Sequence, residues 1–582
     1  MKSLILIDKN HTIKNMKIDK NFYILNWNRS NGNDYNSIFE YIEKNDSFFQ
    51  RKYLNLISKI KKASFFNKSL YKHFLINYNF KMWEMSLLEE KSFYKNPEIN
   101  ELLKILALKK FVKIKRINTI ILKSDQINLK YNIQSLIKTV KIIYENKHCE
   151  NSQINLRDNS FYFLFYLIKF FIRRYRFKKN SFKLNNNSLL ICDYFTYFEK
   201  SSALKGKYIS SFWRDLFPLL KKKNVNFLHL SLDEKNFNFD EKSTILKNLN
   251  TKKNSHNILD FEIDFNIFSN VLIKWFVNLF KYKIISFKYK NNFMFQNKVL
   301  DKMLRDSLIG VWSIKNLYFF FLFEKFFKKN QKKNYAAFYV SEFHGWEKSM
   351  LYNLKRHSFC KTYGVHFNPI RNWDLRYKFD ITKDNANFFP DNIISFYISS
   401  KKHLRELFTN FNKKNLIIAQ NLRALKMNMK MVKRQGKKKI LIIGDHDDYS
   451  TINLLDMIND FRKLNKEYTF EYKPHPISKI DLAKFKNLSK TKIYKNNDCF
   501  KNSFSAYVVT NKTTLGLELI NKKMKTAIFL DDNSINLSPV DKNYKFFIKN
   551  TIELERFLNS KVKYNNINKS RKISWHDIIK TI

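Results

Sequence analysis

Short blocks of contiguous apolar residues alternate with stretches of helical spacing through the second half of the chain. "KKKILIIGD" (Lys437–Asp445) reads as a buried strand closed by Gly, and "TINLLDMINDFRKLNK" after it as an amphipathic helix. "YTFEYKPHP" is a strand stopped by prolines, "SAYVVTNKTTLGLELINKK" a strand, turn and helix, and "KTAIFLDD" a further strand. "KFFIKNTIELERFLN" closes the series with a strand and a helix, Asn550 and Glu553 having the spacing of a capping box. Strands alternating with helices imply a parallel sheet covered on both faces, so residues 386–560 are expected to form one Rossmann-like domain.

The first half is less regular. "MKSLILI" reads as a first strand, and "INTIILKSD", "NSLLICDYFTYF" and "NVNFLHLSL" read as further ones. "NYAAFYVSEFHGWEKSMLYNLKRH" gives a strand, a turn at Gly345 and a helix, and "CKTYGVHF" another strand. A second Rossmann-like domain with helical insertions is therefore expected over residues 1–385, with a tail at 561–582. The predicted fold class is α/β, two Rossmann-like domains facing a cleft, and open α/β sheets bind ligands outside the carboxyl ends of their strands.

Composition sharpens where to look. Among 582 residues only 8 are Gly and 7 Pro, while Lys, Asn, Ile and Phe abound. In so depleted a chain the surviving glycines mark positions where a side chain is not tolerated. Gly345, Gly364, Gly444 and Gly516 fall in predicted strand-end turns. The formal charge of +57 would ordinarily point to nucleic acid or an anionic membrane. Here the lysines are spread along the whole chain, as codon drift would spread them, and no nucleic-acid partner is expected. The four cysteines form no CxxC pair, which fits a reducing cytoplasm without zinc or a disulfide framework. The first apolar run is too short for a signal-peptide core, and no apolar run reaches the length of a membrane span. Three aromatic segments run into basic clusters: Phe161–Lys179, Ile267–Lys290 and Asn316–Lys333. Each is either a buried helix with a solvated end or a helix lying on an anionic membrane surface.

Candidate chemistry concentrates in the turns. In "YKPHP" (Tyr472–Pro476) the prolines fix the backbone on both sides of His475, Pro476 stopping the strand, and Lys473 stands beside it. Such a pair can donate to the phosphate of a nucleotide donor and stabilise the charge of a leaving phosphate; the competing reading is a structural turn. In "TNKTTLGLELI", Thr510, Asn511, Thr513 and Thr514 lie between strand and helix, where free N–H groups and hydroxyls attract an anion. "GDHDDYS" holds Asp445 and Asp447, a spacing that could bind a divalent metal, but its place after the first strand of the domain favours a solvated acidic loop. Asp445 is kept as a donor-side residue, and no metal or cofactor is expected. No GxxxxGK[ST] or GxGxxG occurs. On the N-terminal side, Glu342 is the first candidate base for an acceptor hydroxyl, His366 the second and Asp193 a third. Trp346, Glu347, Arg371, Trp373, Asp374 and Arg376 are the acceptor-side candidates, although tryptophan is often simply core.

The run "SEFHGWEKSMLYNLKRH…KTYGVHFNPIRNWDLRY", with "WEMSLLEEKSFYKNPEINELLKILALKK" and "YISSFWRDLFPLL", resembles a family of bacterial surface-carbohydrate proteins of the O-antigen type. The "KPHP" motif with the Thr turn is similar to the HP and Ser/Thr motifs of CMP-sialic acid and capsular Kdo transferases. That resemblance implies a GT-B glycosyltransferase fold, a CMP-sugar donor, the HP histidine near the donor phosphate and no essential metal. Only His475, Pro476, Thr513 and Thr514 match those motifs; threonines and Asn511 replace the serine run, and no acidic motif of the sialyltransferases is evident.

The expected function is a cytoplasmic glycosyltransferase at the inner face of the membrane, assembling lipopolysaccharide or capsule. Its donor would be a nucleotide sugar, with a CMP-linked ulosonic acid leading, and its acceptor a lipid-linked or free oligosaccharide. A CDP-polyol phosphotransferase and a non-catalytic basic scaffold or nucleic-acid-binding protein are the alternatives.

Overall fold

Strands buried on both faces need apolar residues at successive positions, and among the described residues such runs assemble into three larger sheets, each wholly parallel, beside two two-stranded pairings. The computed structural model describes residues 2–580 apart from 9–10, 12–20, 30–35, 78, 146–164, 166–167, 169–183, 185–187, 221–222, 232–236, 252–253, 332–333, 381–385, 398–407, 410–414, 423–437, 495–498, 501, 503 and 562–571. The first sheet contains β1 (Lys2–Ile7), β2 (Phe22–Asn26), β3 (Ile117–Lys123) and β4 (Lys141–Glu145) in the order β2-β1-β3-β4.

The second sheet has seven strands. They are β5 (Ser188–Tyr194), β6 (Val225–Leu230), β7 (Asn254–Ile258), β8 (Asn334–Val340), β9 (Phe359–His366), β10 (Asn392–Ser395) and β11 (Leu416–Ile418), in the order β11-β10-β9-β8-β5-β6-β7. The third has six: β12 (Lys438–Ile443), β13 (Tyr468–Lys473), β14 (Lys492–Ile493), β15 (Ala506–Thr510), β16 (Thr526–Phe529) and β17 (Phe547–Ile548), in the order β14-β13-β12-β15-β16-β17.

The second and third sheets are the two Rossmann-like bodies expected from the sequence. In each, the chain starts at a central strand, runs outward to one side, then returns to the other. Strand order therefore reverses between β5 and β8 in one sheet and between β12 and β15 in the other. The crevices outside those reversals are where parallel sheets hold ligands.

Three assignments differ from expectation. Residues 1–385 do not build one sheet, because among the described residues the first four strands form a sheet of their own. Strands β10 and β11 lie after residue 386 yet extend the second sheet. The C-terminal stretch also returns there: Ile573 N donates to Ile418 O at 2.8 Å, and Trp575 Nε1 to Gln420 O at 2.8 Å. Trp575, Ile578 and Ile579 of the Trp575–Lys580 helix pack on that sheet's core.

The helix Val311–Lys329 buries Leu317, Tyr318, Phe320, Phe323, Phe326 and Phe327, so the aromatic segment from Asn316 is core. The Phe161–Lys179 segment lies outside the described residues except Phe165 and Ile168, both exposed. Among the described residues no helix is long and apolar enough to cross a membrane.

The first sheet is fastened to the third by a buried arginine. Arg29 pairs with Glu43 at 2.5 Å and donates to Asp531 O at 3.2 Å, while Glu43 accepts Asn536 N at 2.8 Å.

Candidate active site

Between the second and third sheets lies a cleft of about 820 Å³. One wall is the "KPHP" segment with Gly444, Thr513 and Thr514, from the carboxyl ends of β12, β13 and β15. Facing it are Glu199, Ser210, Arg214, Asp215 and Asn368, from loops beyond β5 and β9. Both strand-order reversals thus open on one volume.

Backbone detail explains how the first wall is set. Gly444 N donates to Lys473 O, tying the ends of β12 and β13 together, and a Cβ on Gly444 would stand 2.7 Å from Thr451 Cγ2. His475 Nδ1 accepts Ile477 N at 3.4 Å, and His475 O accepts Ser478 N at 2.9 Å. With Nδ1 an acceptor, the neutral ring carries its proton on Nε2, leaving that N–H as the donor. Burial, then His446 and Lys473, hold the His475 pKa below its ordinary value, and burial lowers that of Lys473. An incoming anion would relieve both. Thr513 Oγ1 accepts Leu515 N at 3.3 Å just ahead of the seven-residue helix Leu515–Asn521, whose N-cap residue, Thr514, makes no side-chain capping bond. In so short a helix the hydroxyls and turn N–H groups matter more than the dipole.

Thr510, Asn511 and Asp445 lie behind this wall and are buried. Neither end of the Asn511 amide has a hydrogen-bond partner among the described residues. Burial raises the Asp445 pKa, and Asp445 Oδ1 accepts Asp447 N at 2.7 Å. Asp447 itself pairs with Lys512 and caps the helix that begins at Asp448. Asp445 and Asp447 are thus occupied separately.

No family model matches the chain and no curated protein does, so the surface-carbohydrate resemblance rests on its motifs alone. Solved structures give distant likenesses. TarM is 12% identical, with a TM-score of 0.33 over 64% of this chain and 91% of that one. The E. coli trehalose-6-phosphate structure bound with UDP-2-fluoro glucose is 9% identical, with a TM-score of 0.34 over 64% and 92%. The S. aureus MnaA–UDP co-structure is 10% identical, with a TM-score of 0.28 over 59% and 78%. Scores this low leave the fold to be read from the sheets themselves.

The N-terminal candidates separate into three groups. Glu342 reaches the cleft through Asn368, whose Nδ2 donates to Glu342 Oε1 at 2.9 Å; its other oxygen meets His344 Nε2 at 2.9 Å. Burial opposes the charge, but His344 and Arg376 hold the carboxyl well below the usual carboxylate range. A carboxylate held that low is a weak proton acceptor. Asp193 is fully buried, bonded to His229 Nδ1 at 2.7 Å, and His229 in turn to His256 at 3.1 Å. His366 is buried with neither ring nitrogen partnered among the described residues, and burial pushes its pKa down to about 3.

The acceptor-side candidates are largely structural. Trp373 is fully buried, and Trp346 is buried with its Nε1 donating to Tyr194 OH at 2.7 Å. Glu347 accepts the N–H groups of Glu342, Phe343 and His344 at 2.9–3.1 Å, bracing a turn in which Phe343 has φ 59°. Asp374 takes Arg376 Nη2 at 2.8 Å. Arg371 Nη2 donates to Lys512 O at 2.9 Å and so clamps the "TNKTT" turn from the opposite domain.

The segments that carry the resemblance meet here. Glu90 of "WEMSLLEEK" accepts Gly345 N at 3.1 Å and pairs with His344 at 2.9 Å, and Tyr94 lies 5.6 Å from the Arg371 guanidinium and 5.2 Å from the His446 ring. Glu199, Arg214, Asp215 and Asn368 were not singled out from the sequence. The available signal was "YISSFWRDLF", which contains Ser210, Arg214 and Asp215.

Proposed function

We propose that the protein is a glycosyltransferase of surface-polysaccharide assembly that takes a sugar from a nucleotide donor, with a CMP-linked ulosonic acid as that donor. The observation that supports this reading is the cleft between the second and third sheets, with a Lys–His–Thr wall on one side and accessible carboxylates on the other. The donor phosphate sits against Lys473, His475 Nε2–H and the Thr513 and Thr514 hydroxyls. The acceptor hydroxyl lies on the opposite side, where the exposed Glu199, whose carboxylate accepts Ser201 Oγ–H at 3.1 Å, takes its proton. The acceptor oxygen bonds to the anomeric carbon as the bond from that carbon to the phosphate oxygen breaks. The leaving phosphate gains charge where the donors already point, which lowers the barrier without reorganisation.

The test incubates the full chain with CMP-N-acetylneuraminic acid, CMP-Kdo, UDP-GlcNAc or CDP-glycerol and a lipid-linked oligosaccharide extract. Release of CMP with a new glycosidic linkage is expected. A phosphodiester product from CDP-glycerol would replace this reading with polyol-phosphate transfer, and no release from any donor would overturn it.

A further inference from the structure

The helix Phe265–Lys288 is apolar on both sides. Its inner face buries Ile267, Val271, Trp275, Tyr282 and Ile285, with Trp275 Nε1 donating to Ile309 O at 2.7 Å. Its outer face leaves Phe265, Ile273, Phe276, Val277, Phe280, Ile284 and Phe287 exposed, Phe287 to 81%. At 100° per residue these seven fall within an arc of about 120°. A helix apolar all round belongs in a core, and a stripe this long on a surface marks an interaction site.

Charge on the same helix narrows the partner. Lys274, Lys281 and Lys288 border the stripe on one side and Lys283 stands on the other, while residues 265–288 contain no carboxylate. The patch continues past the helix end, where the exposed Phe66 packs 5.4 Å from Tyr289 and Lys288 Nζ lies 4.4 Å from the Phe66 ring. Burial, then Lys274 and Lys68, hold the Lys281 pKa down, as a neighbourhood of uncompensated positive charge does. A second copy of this chain would answer the stripe poorly, because a two-fold contact pairs a surface with itself and would set lysine against lysine. At 24 residues the helix is about 36 Å long, and lying flat it presents aromatic side chains to the headgroup region with lysines at phosphate level.

We propose that the outer face of the Phe265–Lys288 helix, with Phe66 at its end, is a docking surface for an anionic lipid bilayer. This inference is independent of the transfer reading and holds whatever the cleft binds.

Because a chain of +57 adheres to anionic vesicles by charge alone, the test must separate insertion from attraction. Full-length protein is sedimented with phosphatidylcholine vesicles with and without about 30% phosphatidylglycerol, at low and high salt. The variant Phe280→Ser/Ile284→Ser/Phe287→Ser is expected to partition at least about tenfold more weakly, with unchanged circular dichroism and Tm. The variant Lys274→Gln/Lys283→Gln/Lys288→Gln is expected to lose the preference for phosphatidylglycerol. Equal binding by the serine variant would overturn the proposal, leaving charge alone as the cause. So would a dimer lost in that variant with no vesicle binding by the wild type, which would make a second copy the occupant. A fall in Tm with no vesicle binding by the wild type would mean that another part of this chain covers the helix.

Discussion

His475 is the residue on which the chemistry turns, and its ionisation gives the proposed role a sign. Burial, then His446 and Lys473, hold its pKa below the ordinary value, which favours the neutral ring in the free protein. A phosphate against Nε2 favours the imidazolium and raises that pKa, so binding takes up a proton. Nucleotide affinity measured calorimetrically should therefore rise as pH falls from about 8 to 6, and the slope should vanish in His475→Gln. A flat wild-type profile would place the phosphate elsewhere. On the other wall, Glu199→Gln should lower kcat by about 10²-fold or more while leaving nucleotide Kd unchanged; an undiminished kcat would remove Glu199 as the base. The sequence exposed His475 because two of only seven prolines flank it. It hid Glu199 and Asp215, because a carboxylate in a polar loop carries no local signal of what stands opposite.

At the scale of elements, the turn after β8 is the most constrained. A Cβ on Gly345 would lie 2.5 Å from Met85 O, a backbone atom that cannot swing away. Gly345→Ala should cost about 1–3 kcal/mol through forced backbone shifts. Glu347→Ala should cost about 2–3 kcal/mol by stranding buried N–H groups. Denaturant unfolding checks both, and a Glu347→Ala variant of wild-type stability would return that residue to the acceptor site. Most strands of the second and third sheets were legible because a strand covered on both faces is a short apolar run between turn residues; β7, β10, β11 and β14, which are short or polar, were not read as strands. Trp346 and Trp373 were harder to place, since an indole in a turn reads the same whether it stacks on a ligand or fills the core. Sheet membership was not legible at all. Pairing of β3 with β1, or of β10 with β9, is a long-range choice that local periodicity does not encode.

Across the whole molecule, the second and third sheets enclose the cleft, and the contacts between bodies shape its donor wall. Arg371 reaches from the loop after β9 to the carbonyl of Lys512, and its planar fork is what spans that gap. Arg371→Lys should weaken nucleotide binding by about 3–10-fold, on the order of one net hydrogen bond, in the same titration that reports wild-type affinity. Unchanged affinity would mean that the "TNKTT" turn holds its shape without the clamp. The net charge, ambiguous in the sequence, gains a specific place in the structure where lysines frame the exposed aromatic helix.

The most direct measurement is a calorimetric titration of CMP, CDP, UDP, GDP and ADP into the full-length protein and into His475→Ala. Saturable binding that prefers CMP and weakens about tenfold or more in the variant is the predicted result. Binding indifferent to His475, or no binding by any nucleotide, would contradict a donor site in the cleft between the second and third sheets.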